Sequence, residues 1–175
     1  MKLIILSITN YKEKDGIVTA LSKDGTITFN VRGILDPKSK NHILNTPLIE
    51  ADVEFVESNH KHKTVKNSLI TFSPYGAFDS LEKLGTISMI EEATNKLLQE
   101  EERVYIYNKL KSCLESLKEG KVSPIQIGIR YLLDILAITG NELEFNHCVF
   151  CGSKEDIVSF SFSDVKLGAS GGLDL

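Results

Sequence analysis

The sequence predicts an α+β protein in which a β-rich first part precedes a helical part. Five short apolar or alternating runs, joined by compact polar turns, fill roughly the first 70 residues, which is typical of a small barrel. Three longer runs with apolar residues at helical spacing follow. Five strands of this length match the five-stranded OB-fold, a barrel that often binds single-stranded nucleic acid.

Alternating side chains and turn residues place the strands. Ile27, Phe29 and Val31 alternate with polar neighbours, the period of two expected of a half-buried strand. Lys23-Asp24-Gly25 is predicted to be a hairpin turn, and His60-Lys61-His62-Lys63 a second polar turn rather than a metal site. The predicted strands are Leu3–Ile8, Ile17–Leu21, Gly25–Val31, Leu48–Val56 and Val65–Phe72.

Apolar spacing and end signals place the helices. Ser123 is expected to cap the third helix, with Pro124 as its first residue. The predicted helices are Ser80–Leu98, Glu101–Leu117 and Pro124–Gly140. The predicted buried face of the second is Val104, Tyr107, Leu110, Leu114 and Leu117; that of the third is Ile125, Ile129, Leu132, Leu133 and Leu136.

A break at Ser73-Pro74-Tyr75-Gly76 divides the two parts. We therefore predict an OB-fold, DNA-binding domain at 1–76 and a helical domain at 77–140. An irregular, knuckle-like segment at 141–175 is expected to follow.

Charge is unevenly distributed along the 175 residues. With 20 Lys and Arg against 24 Asp and Glu the net charge is −4, which excludes a strongly basic protein. Residues 1–78 carry a net +2 and residues 79–175 a net −6. The apolar runs are too short to cross a membrane. The three cysteines form no even disulfide framework, so a cytoplasmic location is expected.

The loop after the third strand is cationic. Arg32, Lys38 and Lys40 fall close together there, and Lys12 and Lys14 lie in a turn that can share one side of the barrel. Mobile cations at the mouth of a barrel suit the phosphates of single- or double-stranded DNA. On the residues alone, an ordinary solvated loop is equally well supported.

Cys148-x-x-Cys151-Gly152 has the spacing of half a zinc knuckle. A complete site needs two further ligands, and only Asp164 and Asp174 are available as weak candidates. Two thiols in a turn without metal are therefore the favoured interpretation, and no cofactor is expected. We find no catalytic constellation, so an enzyme is disfavoured.

The order of these features resembles the RecO family of bacterial recombination mediators. Residues 11–18 are similar to the family's early Tyr-Gly-Glu-x-Asp-x-Ile-Val segment, and residues 32–40 to its basic Lys-Ser loop. Leu132–Gly140, followed by the two cysteines and by Phe160-Ser161-Phe162-Ser163, resembles its passage from helix to knuckle. The resemblance covers about residues 1–173.

The resemblance implies a non-catalytic protein that binds and anneals DNA strands and helps to load a recombinase. It also implies partnership with a RecR-like mediator and with single-strand-binding protein, in the bacterial cytoplasm at the nucleoid. The family has a second cysteine pair after a Gly-Gly, whereas here Gly171-Gly172 leads to Leu173-Asp174-Leu175. Either the chain is truncated or the metal has been lost.

Two other functions stay open from the residues. In the first, the protein is an adaptor whose acidic helical half docks a partner protein and whose barrel is purely structural. Such an adaptor has little affinity for DNA. A zinc-dependent regulator is the third and weakest hypothesis.

Overall fold

The computed structural model describes residues 1–56, 63–143, 146–148 and 151–155, and the backbone of the strands Ile157–Ser161 and Lys166–Ala169. It contains two compact units, Met1–Ile135 and Leu136–Leu175. The polar turn predicted at His60-Lys61-His62-Lys63 lies outside the described residues except for Lys63. The three predicted domains, with boundaries at 76 and 140, stay a prediction.

Five strands form a closed barrel in the first unit. Their order around it is β1-β2-β3-β5-β4, and β1 pairs with β4 to close it. All neighbours are antiparallel except β3 and β5, which are parallel. The strands are β1 Lys2–Tyr11, β2 Asp15–Ser22, β3 Gly25–Val31, β4 Glu50–Val56 and β5 Lys63–Phe72. The predicted five-stranded OB-fold barrel is thereby confirmed.

The apolar run in β1 is buried on both faces of the sheet. Leu3 and Ile5 belong to the barrel core, while Ile4 and Leu6 point to the opposite face and are equally buried. Helix α1 (Leu81–Leu97) contacts β1, and α2 (Arg103–Glu119) contacts β2 and β3. A strand covered on both sides has no polar alternation, which explains why this one reads as a continuous apolar run.

Helix α2 is fastened to the barrel through a buried carboxylate. Lys111 Nζ lies 2.9 Å from Glu50 Oε1, and Thr71 Oγ1 donates to Glu50 Oε2 over 3.1 Å. Burial raises the pKa of the Glu50 carboxyl. The hydrogen bond and charge of Lys111, together with the hydrogen bond from Thr71, outweigh that effect and hold the pKa below its usual value. Glu50 is therefore a buried anion whose partners come from both parts of the unit.

The three helices confirm the predicted helical part. The third helix, however, buries a different face from the one that was predicted. In α2 the expected residues Tyr107, Leu110, Leu114 and Leu117 are buried. The predicted buried face of α3 (Pro124–Ile138) is wrong, since Ile125 and Ile129 are 56% and 53% exposed. The side chains that α3 buries are Ile127, Tyr131 and Ile135.

Contacts with α1 explain the orientation of α3. A Cβ atom on Gly128 would collide with the end of Met89 and lie 3.0 Å from Thr86 Cγ2, so the absence of a side chain lets the two helices approach closely. Three residues further along, the Tyr131 hydroxyl shares a 2.7 Å hydrogen bond with Thr94 Oγ1. These contacts turn the Gly128 and Tyr131 side of α3 inward, although several of its sides are apolar.

The start of α3 includes a contact that was not predicted. Pro124 is its first residue as expected. The Ser123 hydroxyl, however, donates to Glu82 Oε1 over 2.9 Å, and the same oxygen accepts the Ile125 N–H at 3.4 Å. A carboxylate from α1 therefore accepts a free N–H at the start of α3, which local sequence does not indicate.

The second unit contains an antiparallel strand pair. Strands β6 (Ile157–Ser161) and β7 (Lys166–Ala169) pair from Ile157 opposite Ala169 to Ser161 opposite Lys166. The prediction of an irregular tail from Asn141 was wrong for these residues. No helix within the described part of the chain is long and apolar enough to span a bilayer.

Candidate nucleic-acid interface

The β1–β2 turn and the loop after β3 lie side by side. The Leu35 N–H donates to the Lys14 carbonyl over 3.0 Å, and the Gly33 N–H donates to Asp15 Oδ1 over 2.9 Å. The structure thus joins the turn that carries Lys12 and Lys14 to the loop that carries Arg32, Lys38 and Lys40. We call these two segments, residues 11–15 and 32–40, the basic loop pair.

Ile34 anchors the loop to the barrel. Its side chain is fully buried in the core, and its carbonyl lies 2.8 Å from His42 Nδ1. A Cβ atom on Gly16 would lie only 2.7 Å from Ile34 Cγ2, so the loop reaches this position because residue 16 has no side chain. No local sequence pattern indicates this contact, because it joins residues that are distant along the chain.

Asp36 organises the cations around it. Its Oδ1 accepts the Lys38 N–H over 3.0 Å, as in an Asx turn, and its Oδ2 lies 3.0 Å from Lys14 Nζ. The backbone hydrogen bond from Lys38, followed by the hydrogen bond from Lys14, holds the pKa of this carboxyl below its usual value. Sequence reasoning overlooked Asp36, although Asp before Pro37 is a recognisable turn signal.

The five predicted cations are all exposed. Lys14 is paired with Asp36, and the remaining four have no carboxylate partner among the described residues. Asn41 helps to hold the backbone beneath them: its side chain donates to the Arg32 carbonyl over 2.8 Å, and its N–H donates to Ser39 Oγ over 3.2 Å. A short 3₁₀ helix, Lys40–Leu44, follows. The loop pair therefore presents unpaired cations on a fixed backbone.

Lys12 differs from the other four cations in its backbone conformation and in its contact with an aromatic ring. Its φ of 58° lies in the left-handed region that non-glycine residues rarely adopt. Its ammonium sits 5.3 Å from the centre of the Tyr11 ring, within the range of a cation–π contact.

The described residues do not complete a metal site. Cys148 is buried and Cys151 is exposed, and the chain closes on itself where the Gly152 N–H donates to the Cys148 carbonyl over 2.8 Å. Among the described residues no group of three His, Cys, Asp or Glu side chains could hold a metal ion. Asp164 and Asp174 lie outside the described residues. Two thiolates alone do not fit a structural zinc, and the zinc-knuckle-like element stays a prediction.

Fold and loops together define an OB-fold protein with a helical extension and a cationic loop pair on its barrel. The family model described as "Recombination protein O C terminal" matches residues 79–174, more than half of the chain. The chain belongs to this family, which confirms the resemblance seen in the sequence.

Similar proteins carry the name "DNA repair protein RecO". The one from Clostridium perfringens strain 13 is 28% identical over 159 residues, covering 90% of this chain and 64% of the relative. Those from Bacillus subtilis strain 168 and Thermoanaerobacter sp. strain X514 are 24% and 27% identical, covering 92% and 91% of this chain and 63% and 65% of the relatives. The chain thus spans slightly less than two thirds of the length of these relatives.

Proposed function

We propose that the protein acts in recombinational DNA repair as a non-catalytic mediator that binds single- and double-stranded DNA and anneals strands. The observation that carries this proposal is the basic loop pair, in which Lys12, Lys14, Arg32, Lys38 and Lys40 come together on an OB-fold barrel. Membership of the recombination protein O family and the relatives' name, DNA repair protein, support the same pathway.

The role proposed for the basic loop pair is to neutralise the charge of DNA phosphates. Two DNA strands repel each other, and cations that neutralise phosphates lower that repulsion without reading sequence. Base pairing between the strands then supplies the specificity of annealing. Exposed lysines on a fixed backbone suit this role, because they reach phosphates without distorting the fold.

The test is a titration of labelled single-stranded DNA followed by fluorescence anisotropy at several salt concentrations. We expect Arg32→Ala, Lys38→Ala and Lys40→Ala together to weaken binding to all sequences alike. Loss of three phosphate contacts should also reduce the slope of log affinity against log salt by about 2. The annealing rate should fall in parallel.

A control variant removes the same number of charges elsewhere. Lys96, Lys109 and Lys121 lie on or next to the helices and are paired with Glu92, Asp134 and Glu119. Replacing these three lysines by alanine should change DNA affinity much less than the loop variant does. Equal losses in the two triple variants, or an unchanged affinity in the loop variant, would remove the loop pair from the site.

The adaptor function remains a second candidate, because α3 exposes Ile125 and Ile129 in the acidic half of the chain. It predicts little DNA affinity even at low salt, and complex formation that survives the loop substitutions. A RecR-like mediator and single-strand-binding protein are the proposed partners, and the bacterial cytoplasm and nucleoid the proposed location. DNA titration of the unchanged protein at low salt distinguishes the two functions, and pull-down of each purified partner by the loop variant tests whether docking is independent of the loop pair.

No cofactor is required for this proposal. Zinc at Cys148 and Cys151 can be tested separately by metal analysis of protein purified without chelators. A zinc content well below one per chain would argue against a zinc-dependent regulator.

A further inference from the structure

Tyr11 combines an exposed aromatic ring with a position beside the cations. It is the last residue of β1, opposite Asp15 at the start of β2, and its side chain is 45% exposed. The other described aromatic residues of the five strands are buried or half-buried. Bases of single-stranded DNA stack on exposed aromatic rings, because every base has a π-face.

A similar cation–ring contact elsewhere on the barrel serves the core instead. Lys63 Nζ lies 5.6 Å from the centre of the Phe55 ring. That ring packs edge-on against the buried Phe29, with ring centres 5.1 Å apart. The Phe55 ring therefore has a structural partner, whereas the Tyr11 ring has Lys12 as its only ring or cation contact among the described residues.

The backbone of Lys12 is the second observation. An L-residue is destabilised in the left-handed region, and glycine avoids this cost. The resulting turn nevertheless holds the Lys12 ammonium over the Tyr11 ring and brings Lys14 into contact with the basic loop. The turn thus holds the Tyr11 ring, on which a base can stack, next to the Lys12 ammonium, which can pair with the adjoining phosphate.

We propose that Tyr11 and Lys12 form a stacking site for an unpaired base of single-stranded DNA. The base stacks on the ring face opposite the Lys12 ammonium, and that ammonium meets a neighbouring phosphate. This inference rests on the proposed DNA-binding function and adds to it a preference for unpaired bases. Such a site favours single strands, because paired bases in a duplex do not expose their faces.

The experiment compares two labelled oligonucleotides of equal length and charge, one of oligothymidine and one with abasic sites throughout. Anisotropy titrations use the full chain and its Tyr11→Ala and Tyr11→Phe variants. We expect the unchanged protein to bind oligothymidine at least fivefold more tightly than the abasic strand. Tyr11→Ala should lose most of that ratio without weakening abasic binding, and Tyr11→Phe should retain it.

Tyr105→Ala is the matched control, since Tyr105 on α2 is 72% exposed and lies outside the loop pair. It should keep the ratio of the unchanged protein. Equal affinity of the unchanged protein for the two strands rejects the stacking site while leaving DNA binding intact. Equal weakening of both strands by Tyr11→Ala also rejects it, and no binding to either strand rejects the proposed function as well.

Discussion

Lys12 combines an unfavourable backbone conformation with an exposed charge. Its φ of 58° suits glycine better than lysine, yet its ammonium lies over Tyr11 at the edge of the basic loop pair. Backbone strain tends to persist at functional sites, where the side chain is needed for something other than stability.

Replacing Lys12 by glycine should therefore separate stability from binding. We expect the free energy of unfolding to stay unchanged or to rise by up to about 1 kcal/mol, because relief of the left-handed conformation exceeds the entropy cost of glycine. DNA affinity should fall, since one cation is lost. Urea unfolding and anisotropy titration measure the two effects.

Lys12→Ala is the control for this substitution. It removes the same charge but keeps a side chain in the left-handed region, so it should weaken DNA binding equally without any gain in stability. A loss of more than about 1 kcal/mol in the glycine variant would show that the lysine side chain itself holds the turn.

The loop after β3 depends on a close contact between elements. Gly16 in β2 leaves the room that Ile34 fills, and Ile34 fixes the loop that carries Arg32, Lys38 and Lys40. The geometry of the cationic site therefore depends on an apolar contact behind it.

Gly16→Ala tests this dependence. The added methyl group would lie 2.7 Å from Ile34 Cγ2 and 3.2 Å from Ile8 Cγ2. We expect the free energy of unfolding to fall by about 1–3 kcal/mol, as is usual for overpacking. DNA affinity should also fall because the loop moves. Thermal unfolding followed by circular dichroism, together with anisotropy titration, gives both values.

Gly85→Ala serves for comparison, because Gly85 lies on an exposed side of α1, and beyond its neighbours and the helix's own backbone nothing lies within 4 Å of an added Cβ. Alanine favours a helix, so this variant should gain up to about 1 kcal/mol and bind DNA normally. Full stability and unchanged DNA binding in Gly16→Ala would contradict the role assigned to the Ile34 contact.

The barrel and the helices of the first unit share a buried ionic contact. Glu50 belongs to β4, whereas Lys111 comes from α2, and the pKa of the Glu50 carboxyl is lowered by this partner despite burial. A carboxyl whose pKa is lower in the folded chain adds stability above its unfolded pKa. This stability disappears as the pH falls through the folded value.

Glu50→Gln should reveal how much the ionic contact between Glu50 and Lys111 contributes to the free energy of unfolding. At neutral pH we expect a loss of about 1–3 kcal/mol, because Lys111 loses its charged partner. The difference from the unchanged protein should begin to shrink as the pH falls below about 4.5, the usual pKa of Glu, because the carboxyl of the unfolded chain is then protonated. It should disappear as the pH falls through the lower pKa of the folded carboxyl. Urea unfolding at a series of pH values measures it.

Glu119→Gln is the control at an exposed ion pair, since Glu119 pairs with Lys121 at the surface. Its effect should stay below about 1 kcal/mol at every pH. A Glu50→Gln difference that does not change with pH would mean that shape, rather than charge, fastens α2 to the barrel.

Several features follow from the sequence by itself. Apolar runs, period-two alternation and turn residues are local signals, and together they place the five barrel strands and the cationic residues of the loop. The helical spacing of Tyr107, Leu110 and Leu114 likewise identifies the inner face of α2, because polar residues mark its other side.

Tertiary contacts decide the rest. In α3 apolar residues occupy several sides, so spacing alone does not select a face, and Gly128 against α1 does. Asp36 and Gly16 act through residues that are close only after folding, which leaves no periodic signal. The sequence therefore determines the strands, the helices and the charges, and the packing determines which faces turn inward and which cations stand together.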